Sequence, residues 1–221
     1  MRMMRLSRCC GTPNIGVYAA ASENLAIVAA VAAPDFIKSV EEALQVKTFT
    51  AIASGSYLIG SLVAVNSYGA VISGTAESSE LEIIEKHIRV SMISDRLNAA
   101  GNNILVNDKA AVVNPELGKR AEKEIVDALN VEVVRGTVCG CNTVGSVCSV
   151  TNKGCVCGAS ASEEDLAFLK DVFGMEAKKA SVNHGSKYVG AGMLCNSKGA
   201  IMGDDTTPIE MGKIEDGLNL F

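Results

Sequence analysis

Aromatic residues are scarce in this 221-residue chain: they make up 4% of it, and tryptophan is absent. A core must therefore be built from valine, isoleucine, leucine and alanine, in a composition that is otherwise typical of a globular protein. No run of 18 apolar residues occurs, and we expect no membrane span. The stretch from Met1 to Cys10 lacks a following apolar segment of the signal-peptide type. We therefore expect a cytoplasmic protein whose eight cysteines are reduced thiols.

Basic residues are also in deficit, since 20 lysines and arginines face 25 aspartates and glutamates for a net charge of −5. A protein that binds nucleic acid mainly through its phosphates needs clustered basic residues, so the negative net charge argues against such binding. The same charge permits a basic protein partner. The nucleotide-binding pattern GxxxxGK[ST] is missing, and Gly190-Ala191-Gly192 continues as Met-Leu-Cys. We therefore expect no cofactor.

Five stretches of the chain align when each is anchored on one glycine, with spacings of 44, 41, 44 and 45 residues. The anchors are Gly16, Gly60, Gly101, Gly145 and Gly190. The residues 24, 28 and 30 positions after each anchor are apolar in all five stretches. The sixth position after each anchor is typical of a turn and holds Ser22, Asn66, Asn107, Thr151 or Asn196. A unit of about 44 residues cannot bury its apolar face alone, which favours five repeats that share one core.

Each repeat is predicted to contain two strands, a helix and a third strand. In repeat two, apolar runs flank Asn66-Ser67-Tyr68-Gly69, which is the pattern of a β-hairpin with a type I turn. Capping residues then predict helix starts at Ser79, at Asn114-Pro115, at Ser162 and at Thr207-Pro208.

The fifth repeat ends at Phe221 before a third strand, while the strand-like segment Met4 to Cys9 precedes the first repeat. We therefore predict an α/β fold of five ββαβ repeats in a closed ring with pseudo-fivefold symmetry, in which the N-terminal strand completes repeat five. The ring is expected to be one domain over 1–221. Its repeats are expected at 12–55, 56–98, 99–142, 143–187, and 188–221 with 1–11.

The cysteine spacings leave two minor alternatives open. Cys139 and Cys141, like Cys155 and Cys157, have a CxC spacing in predicted strands, whereas zinc sites more often use CxxC. Cys148 is expected near Cys157 across a hairpin. We interpret these cysteines as small apolar core residues, with a zinc site or a disulfide as alternatives, and expect no metal.

Several segments together resemble a known family. They are Gly145-Ser146, Thr151-Asn152-Lys153-Gly154-Cys155, 189–193, Asn196-Ser197-Lys198-Gly199 and 203–207. They are similar to the ribosome anti-association factor, which is the sixth translation initiation factor of archaea and eukaryotes. The fold of that family is the pentein, or β/α-propeller. The resemblance implies a non-enzymatic protein that binds the large (50S) ribosomal subunit and sterically prevents premature joining of the small subunit, in translation initiation and ribosome biogenesis.

The resemblance also implies where contact is made. The partner would be chiefly a ribosomal protein near the sarcin–ricin loop, with a minor rRNA contact and with this factor as a monomer. The residues that follow the anchor glycines in repeats two and three, Ser61 and Asn102, match the family's contact positions. Gly60, Gly101 and Ser146 complete the candidate set, the glycines chiefly because they allow close approach to the axis. Acidic candidates for meeting a basic partner are Asp95, Asp108, Glu116, Asp204 and Asp205.

The alternative function is a cysteine-dependent amidino-group hydrolase or transferase on the same fold. Cys195 and His184 are the plausible pair of such an enzyme, although no carboxylate follows His184. A packing role is expected for Cys195, and His87 is expected at the surface of a helix.

Overall fold

The computed structural model describes residues 4–221, which form five three-stranded sheets. Residues 1–3 of the predicted segment 1–11 lie outside the described residues. The strands are β1 (Met4–Ser7), β2 (Ala19–Ala21), β3 (Leu25–Ala29), β4 (Lys47–Ala51), β5 (Val63–Val65), β6 (Ala70–Ser73), β7 (Val90–Ile93), β8 (Ile104–Val106), β9 (Ala110–Val113), β10 (Glu132–Arg135), β11 (Cys148–Val150), β12 (Cys155–Gly158), β13 (Ala177–Ala180), β14 (Met193–Asn196) and β15 (Gly199–Gly203).

Helices of two kinds accompany these strands. The long helices are Pro34–Leu44, Ser78–Glu85, Lys119–Leu129, Glu163–Phe173 and Pro208–Leu218. The one-turn helices are Ile15–Val17, which is 3-10, and Ile59–Leu62, Ala100–Asn103, Val144–Val147 and Val189–Gly192. Within the described part of the chain, no helix is both long and apolar enough to cross a bilayer.

Each sheet, here called a blade, has the same topology. Its first two strands form an antiparallel hairpin, and its third strand pairs in parallel with the second; in blades one to four the chain reaches the third strand through the long helix. Blade one is β2–β4, and blades two, three and four follow in chain order. Each one-turn helix holds an anchor glycine, which adds an element that the sequence did not predict.

Blade five is completed by the N-terminus, as predicted. It consists of β14 and β15 with β1, which pairs in parallel with β15 from Met4–Ala200 to Ser7–Gly203. The first strands of the blades contact one another in a closed cycle, in the order β2, β5, β8, β11, β14 and back to β2. The ring is therefore closed, and the predicted pentein architecture is confirmed.

The long helices fill the spaces between neighbouring blades. The helix Lys119–Leu129 contacts strands of blade two and blade three, and it buries Ala121, Ile125 and Leu129. Ile125 and Leu129 lie 24 and 28 residues after Gly101, so the repeated apolar positions are the inward face of the helix.

Two of the predicted helix starts are confirmed in detail, and a third is wrong. Ser162 and Thr207 cap their helices, and Pro208 takes the first helical position. The helix expected at Asn114-Pro115 begins instead at Lys119. The buried side chain of Asn114 accepts a hydrogen bond from the Glu116 N–H and donates one to Asn103, which holds it in a turn ahead of the helix.

Candidate functional site

The ring has two chemically different ends. In every blade the first strand runs from the one-turn helix to the hairpin turn, and the second and third strands run back. We call the end that holds the one-turn helices and the linkers preceding them the glycine end. The hairpin end holds the turns around residues 22–24, 66–69, 107–109, 151–154 and 197–198.

At the glycine end, the anchor glycines touch one another around the axis. A Cβ added to Gly60 would come within 3.0 Å of the backbone oxygen of Gly16, and the same relation links Gly101 to Gly60 and Gly145 to Gly101. Gly190 approaches Gly145, and Gly16 approaches Gly190, so the series closes on itself. Because the obstructing atoms are backbone, no larger residue fits. The anchors therefore pack as expected and form a rigid hub.

The residues after the anchors lie around this hub. Ser61, Asn102 and Ser146 are all half-buried in their one-turn helices. The Ser146 Oγ donates to the Asn102 Oδ1 at 3.1 Å, so two of the candidates join neighbouring blades. The structure brings Asn102 and Ser146 together, while Ser61 belongs to blade two on the other side of Gly101.

Two buried asparagines hold the Asn102 turn in place. The Asn103 Nδ2 donates to the backbone oxygens of Leu97 and Ala99, and the Asn114 Nδ2 donates to the Asn103 Oδ1 at 2.8 Å. Both side chains are about 4% exposed. Polar groups this buried must be paired, so the network fixes one conformation for the backbone that presents Asn102.

Large apolar side chains are exposed beside the same hub. Tyr57 and Leu58 directly precede the one-turn helix of blade two and are 46% and 40% exposed. Tyr188 occupies the position in blade five equivalent to Leu58, is 46% exposed, and lies under the Lys187 ammonium group. Exposed aromatic residues around a rigid polar turn are typical of protein-binding surfaces.

Three acids that the sequence analysis did not identify as a set hold the linkers at the glycine end. Glu80, Asp165 and Glu210 each lie 20 residues after an anchor glycine, a regularity that could have identified them. The Glu80 carboxylate accepts from the N–H groups of Ser54 and Gly55, both at 2.8 Å. Each acid thus caps the long helix of its blade and binds the linker that enters that blade.

Glu210 makes the largest number of these contacts. Its carboxylate accepts hydrogen bonds from the Ser181 hydroxyl, the Thr207 N–H and hydroxyl, and the N–H groups of His184 and Gly185. Burial by itself would raise the pKa of Glu210, but the hydrogen bonds from Thr207, Ser181 and Gly185 favour the ionised form and lower it to about 2.

The five acidic candidates are separated by the fold. Asp95, Glu116, Asp204 and Asp205 follow the carboxyl ends of second or third strands and so lie at the glycine end, whereas Asp108 lies in a hairpin turn at the opposite end. Several are already engaged: Arg8 donates to Asp204 and Asp205, and the Asn142 side chain donates to Glu116. Hydrogen bonds from the Leu97 and Gly118 N–H groups lower the pKa of Asp95.

At the hairpin end, three of the predicted turn residues bond to neighbouring blades. The buried Asn66 donates to the backbone oxygen of Asn107, Asn107 donates to that of Thr151, and Asn196 donates to that of Ser22. The Asp108 carboxylate accepts from Ser67 and is bonded to Asn152, which joins blades two, three and four.

The structure separates the two residues that the enzymatic alternative requires. Cys195 lines an axial cavity of about 110 Å³, well below the size of ordinary ligand pockets. Burial raises the pKa of its thiol to about 12, which opposes nucleophilic activation. Cys195 lies in β14, directly before the hairpin turn, whereas His184 lies on an exposed linker at the glycine end. The pair that the enzymatic alternative requires is therefore not assembled. His87 is exposed as expected but lies in a turn after the helix, which ends at Glu85, and it stacks on Phe49 at 4.0 Å.

All eight cysteines are free thiols. Cys148 pairs with Cys157 in the hairpin register and both are buried, as predicted. The expectation that Cys139 and Cys141 lie in a strand is wrong, because Val138 and Cys141 bridge a tight turn that reverses the chain between them. Among residues 4–221, no group of three or more histidines, cysteines and acids is arranged to hold a metal ion.

Comparison with known proteins gives consistent matches over nearly the whole chain. A family model described as the eIF-6 family matches residues 4–217. Proteins named translation initiation factor 6 from Methanocorpusculum labreanum and Methanoculleus marisnigri are 39% and 41% identical over 93% of this chain and 94% of theirs. The protein of that name from Methanocaldococcus jannaschii is 40% identical over 96% of both chains. A crystal structure of a dimethylarginine dimethylaminohydrolase aligns at 15% identity with a TM-score of 0.46 over 98% of this chain, which is too distant to bear on function.

Proposed function

This chain belongs to the eIF-6 family, and we propose that it binds the large ribosomal subunit and prevents the small subunit from joining it. The observation that carries the proposal is the glycine end of the closed ring. Half-buried polar turns and exposed aromatic side chains lie there on a backbone that the contacts between the anchor glycines hold rigid. A factor of this kind acts by occupying space and needs no catalytic group.

Steric exclusion requires that the docked protein keep its shape. Every blade here is clamped by two neighbours through the anchor glycines at one end, and turn asparagines at the other end join three of the five neighbouring pairs of blades. A pre-ordered surface pays little conformational entropy on docking, and this allows a moderate contact area to give stable binding.

The docking surface in this proposal is the glycine end around Ser61, Asn102 and Ser146. The partner is a ribosomal protein near the sarcin–ricin loop, with a minor rRNA contact. The whole chain acts as one domain, as a monomer, in the cytoplasm. Tyr57 and Leu58 supply apolar contact area beside the polar turns, which matches the anatomy of protein–protein interfaces.

Asn102→Arg tests this placement. The arginine would have to break the bond to Ser146 and project from the surface, and a large charged side chain at the centre of an interface costs about 2 kcal/mol or more. We expect affinity for 50S subunits to fall at least about tenfold. Co-sedimentation with purified 50S subunits, together with inhibition of their joining to 30S subunits, measures both parts of the proposal.

Asn24→Arg is the matched control, because Asn24 is an exposed turn asparagine at the hairpin end. It should bind as the wild type does. Equal binding by both variants, with Asn102→Arg shown to be folded, would mean that another surface docks. Failure of the wild type to co-sediment, or to inhibit joining, would refute the function itself.

A further inference from the structure

Cys9 and Cys10 are neighbours in the linker between β1 and the first one-turn helix, and their sulfur atoms lie 3.6 Å apart. Adjacent residues of an extended chain point to opposite sides, which ordinarily separates their side chains. Here Cys10 has a φ of 51°, in the left-handed region, and this turns its side chain back toward Cys9.

The two thiols differ in access. Cys9 is 1% exposed and packs in the core between blades five and one, whereas Cys10 is exposed. Burial, followed by the contact with Cys10, raises the pKa of Cys9 to about 12. A reagent in solvent can thus reach the sulfur of Cys10 first, and the sulfur of Cys9 lies directly behind it.

We propose that Cys9 and Cys10 form a dithiol modification site that reacts with low-molecular-weight disulfides and closes to a vicinal disulfide. The Cys10 thiolate attacks one sulfur of R–S–S–R, the S–S bond breaks, and RS⁻ leaves as a mixed disulfide forms on Cys10. The Cys9 thiol, 3.6 Å away, then attacks the Cys10 sulfur as its proton passes to the departing group, which leaves as RSH. The protein is oxidised by two electrons, and the small disulfide is reduced to two thiols.

Closure must also alter the linker. A disulfide needs its sulfurs about 2.05 Å apart, so the left-handed turn at Cys10 has to move. That turn is now held by paired backbone hydrogen bonds between Cys9 and Thr12, at 3.1 and 3.0 Å. Because the linker continues directly from β1, we expect the oxidised form to exchange the amide protons of β1 faster than the reduced form.

The test treats the folded protein with oxidised glutathione, quenches with acid and an alkylating reagent, and maps the tryptic peptides. Peptide 9–38 contains Cys9 and Cys10 and no other cysteine. In the wild type we expect this peptide to lose two hydrogens and keep no glutathione. Cys9→Ala should retain one glutathione on Cys10, and Cys10→Ser should do neither.

Cys139→Ser is the matched control, since Cys139 has a φ of 56° at the equivalent turn position in blade four. Its peptide 9–38 should oxidise at the wild-type rate. If Cys9→Ala does not fold, the transient glutathione adduct in the wild-type time course gives the same information. A wild type that stops at the mixed disulfide, or that oxidises first in peptide 136–153, would overturn the proposal.

Discussion

Removing the charge of Glu210 should destabilise the ring in a way that depends on pH. Glu210→Gln keeps the size of the side chain but replaces a carboxylate oxygen by an amide nitrogen, which cannot accept. The two carboxylate oxygens together accept from three segments: one accepts from Ser181 and Gly185, and the other from His184 and from the helix cap at Thr207. Whichever oxygen the amide nitrogen replaces, donors from two segments lose their acceptor. These bonds join the end of blade four to the long helix of blade five.

The magnitude follows from the pKa of Glu210. The residue is 6% exposed, and its pKa falls from the model-peptide value of 4.5 to about 2. A pKa difference of one between the folded and unfolded states corresponds to 1.36 kcal/mol. The ionised form of Glu210 therefore contributes about 3 kcal/mol to the free energy of unfolding. A loss of this size is large beside the total stability of an ordinary domain.

The sign follows from the direction of the shift. Because the folded protein holds Glu210 at a lower pKa than the unfolded chain does, the stabilisation is complete above pH 4.5 and disappears as the pH falls toward 2. Urea denaturation of the wild type and Glu210→Gln should therefore differ by about 3 kcal/mol at pH 6 to 7, and the difference should shrink between pH 4.5 and 3.

Glu163→Gln is the control, because Glu163 also lies in the first turn of a long helix but is 85% exposed and contacts only the Lys179 ammonium among the described ion pairs. It should match the wild type at every pH. A Glu210→Gln variant as stable as the wild type, or a difference that does not change below pH 4.5, would refute the account of this carboxylate.

Three further substitutions test the packing of the ring. Gly101→Ala would place a Cβ within 3.0 Å of the backbone oxygens of Gly60 and Val63, so we expect a loss of more than about 4 kcal/mol, seen as insoluble or unfolded protein. Gly212 lies in open space on a long helix, so Gly212→Ala should stabilise the protein by about 1 kcal/mol and raise its melting temperature by a few degrees. A lower melting temperature would contradict the described surroundings. Asn66→Ala removes two buried bonds to the neighbouring blade and should cost about 2–3 kcal/mol in urea denaturation, and a neutral result would show that these bonds do not hold the blades together.

Much of the fold could be predicted from residue spacing. A glycine recurring about every 44 residues, with apolar positions at constant offsets, identified five equivalent units and their helix faces. The leftover strand at the start and the missing strand at the end then predicted closure, and β1 does pair with β15. These signals are local or periodic, because apolar faces and turn residues depend mainly on neighbours along the chain.

The candidate site could be predicted only in part. Asn102 was chosen as a candidate by resemblance, but its bond to Ser146 connects residues 44 apart in sequence. Asn114 was interpreted as a helix start, whereas its side chain bonds to Asn103 behind the Asn102 turn. Capping patterns describe what a residue can do for its own segment. They do not show that a buried partner from another segment will use the same side chain.

The sequence by itself determined the number of units, the order of their strands and long helices, and the recurring positions of the anchor glycines. The tertiary structure alone decided which backbone oxygen each glycine faces, which linker the Glu210 carboxylate holds, and that the sulfurs of Cys9 and Cys10 meet. The physical reason is that secondary-structure propensity and the spacing of apolar residues are properties of residues close together in the chain. Hydrogen bonds and close contacts instead depend on angles and distances of a few tenths of an ångström, which exist only once the ring has closed.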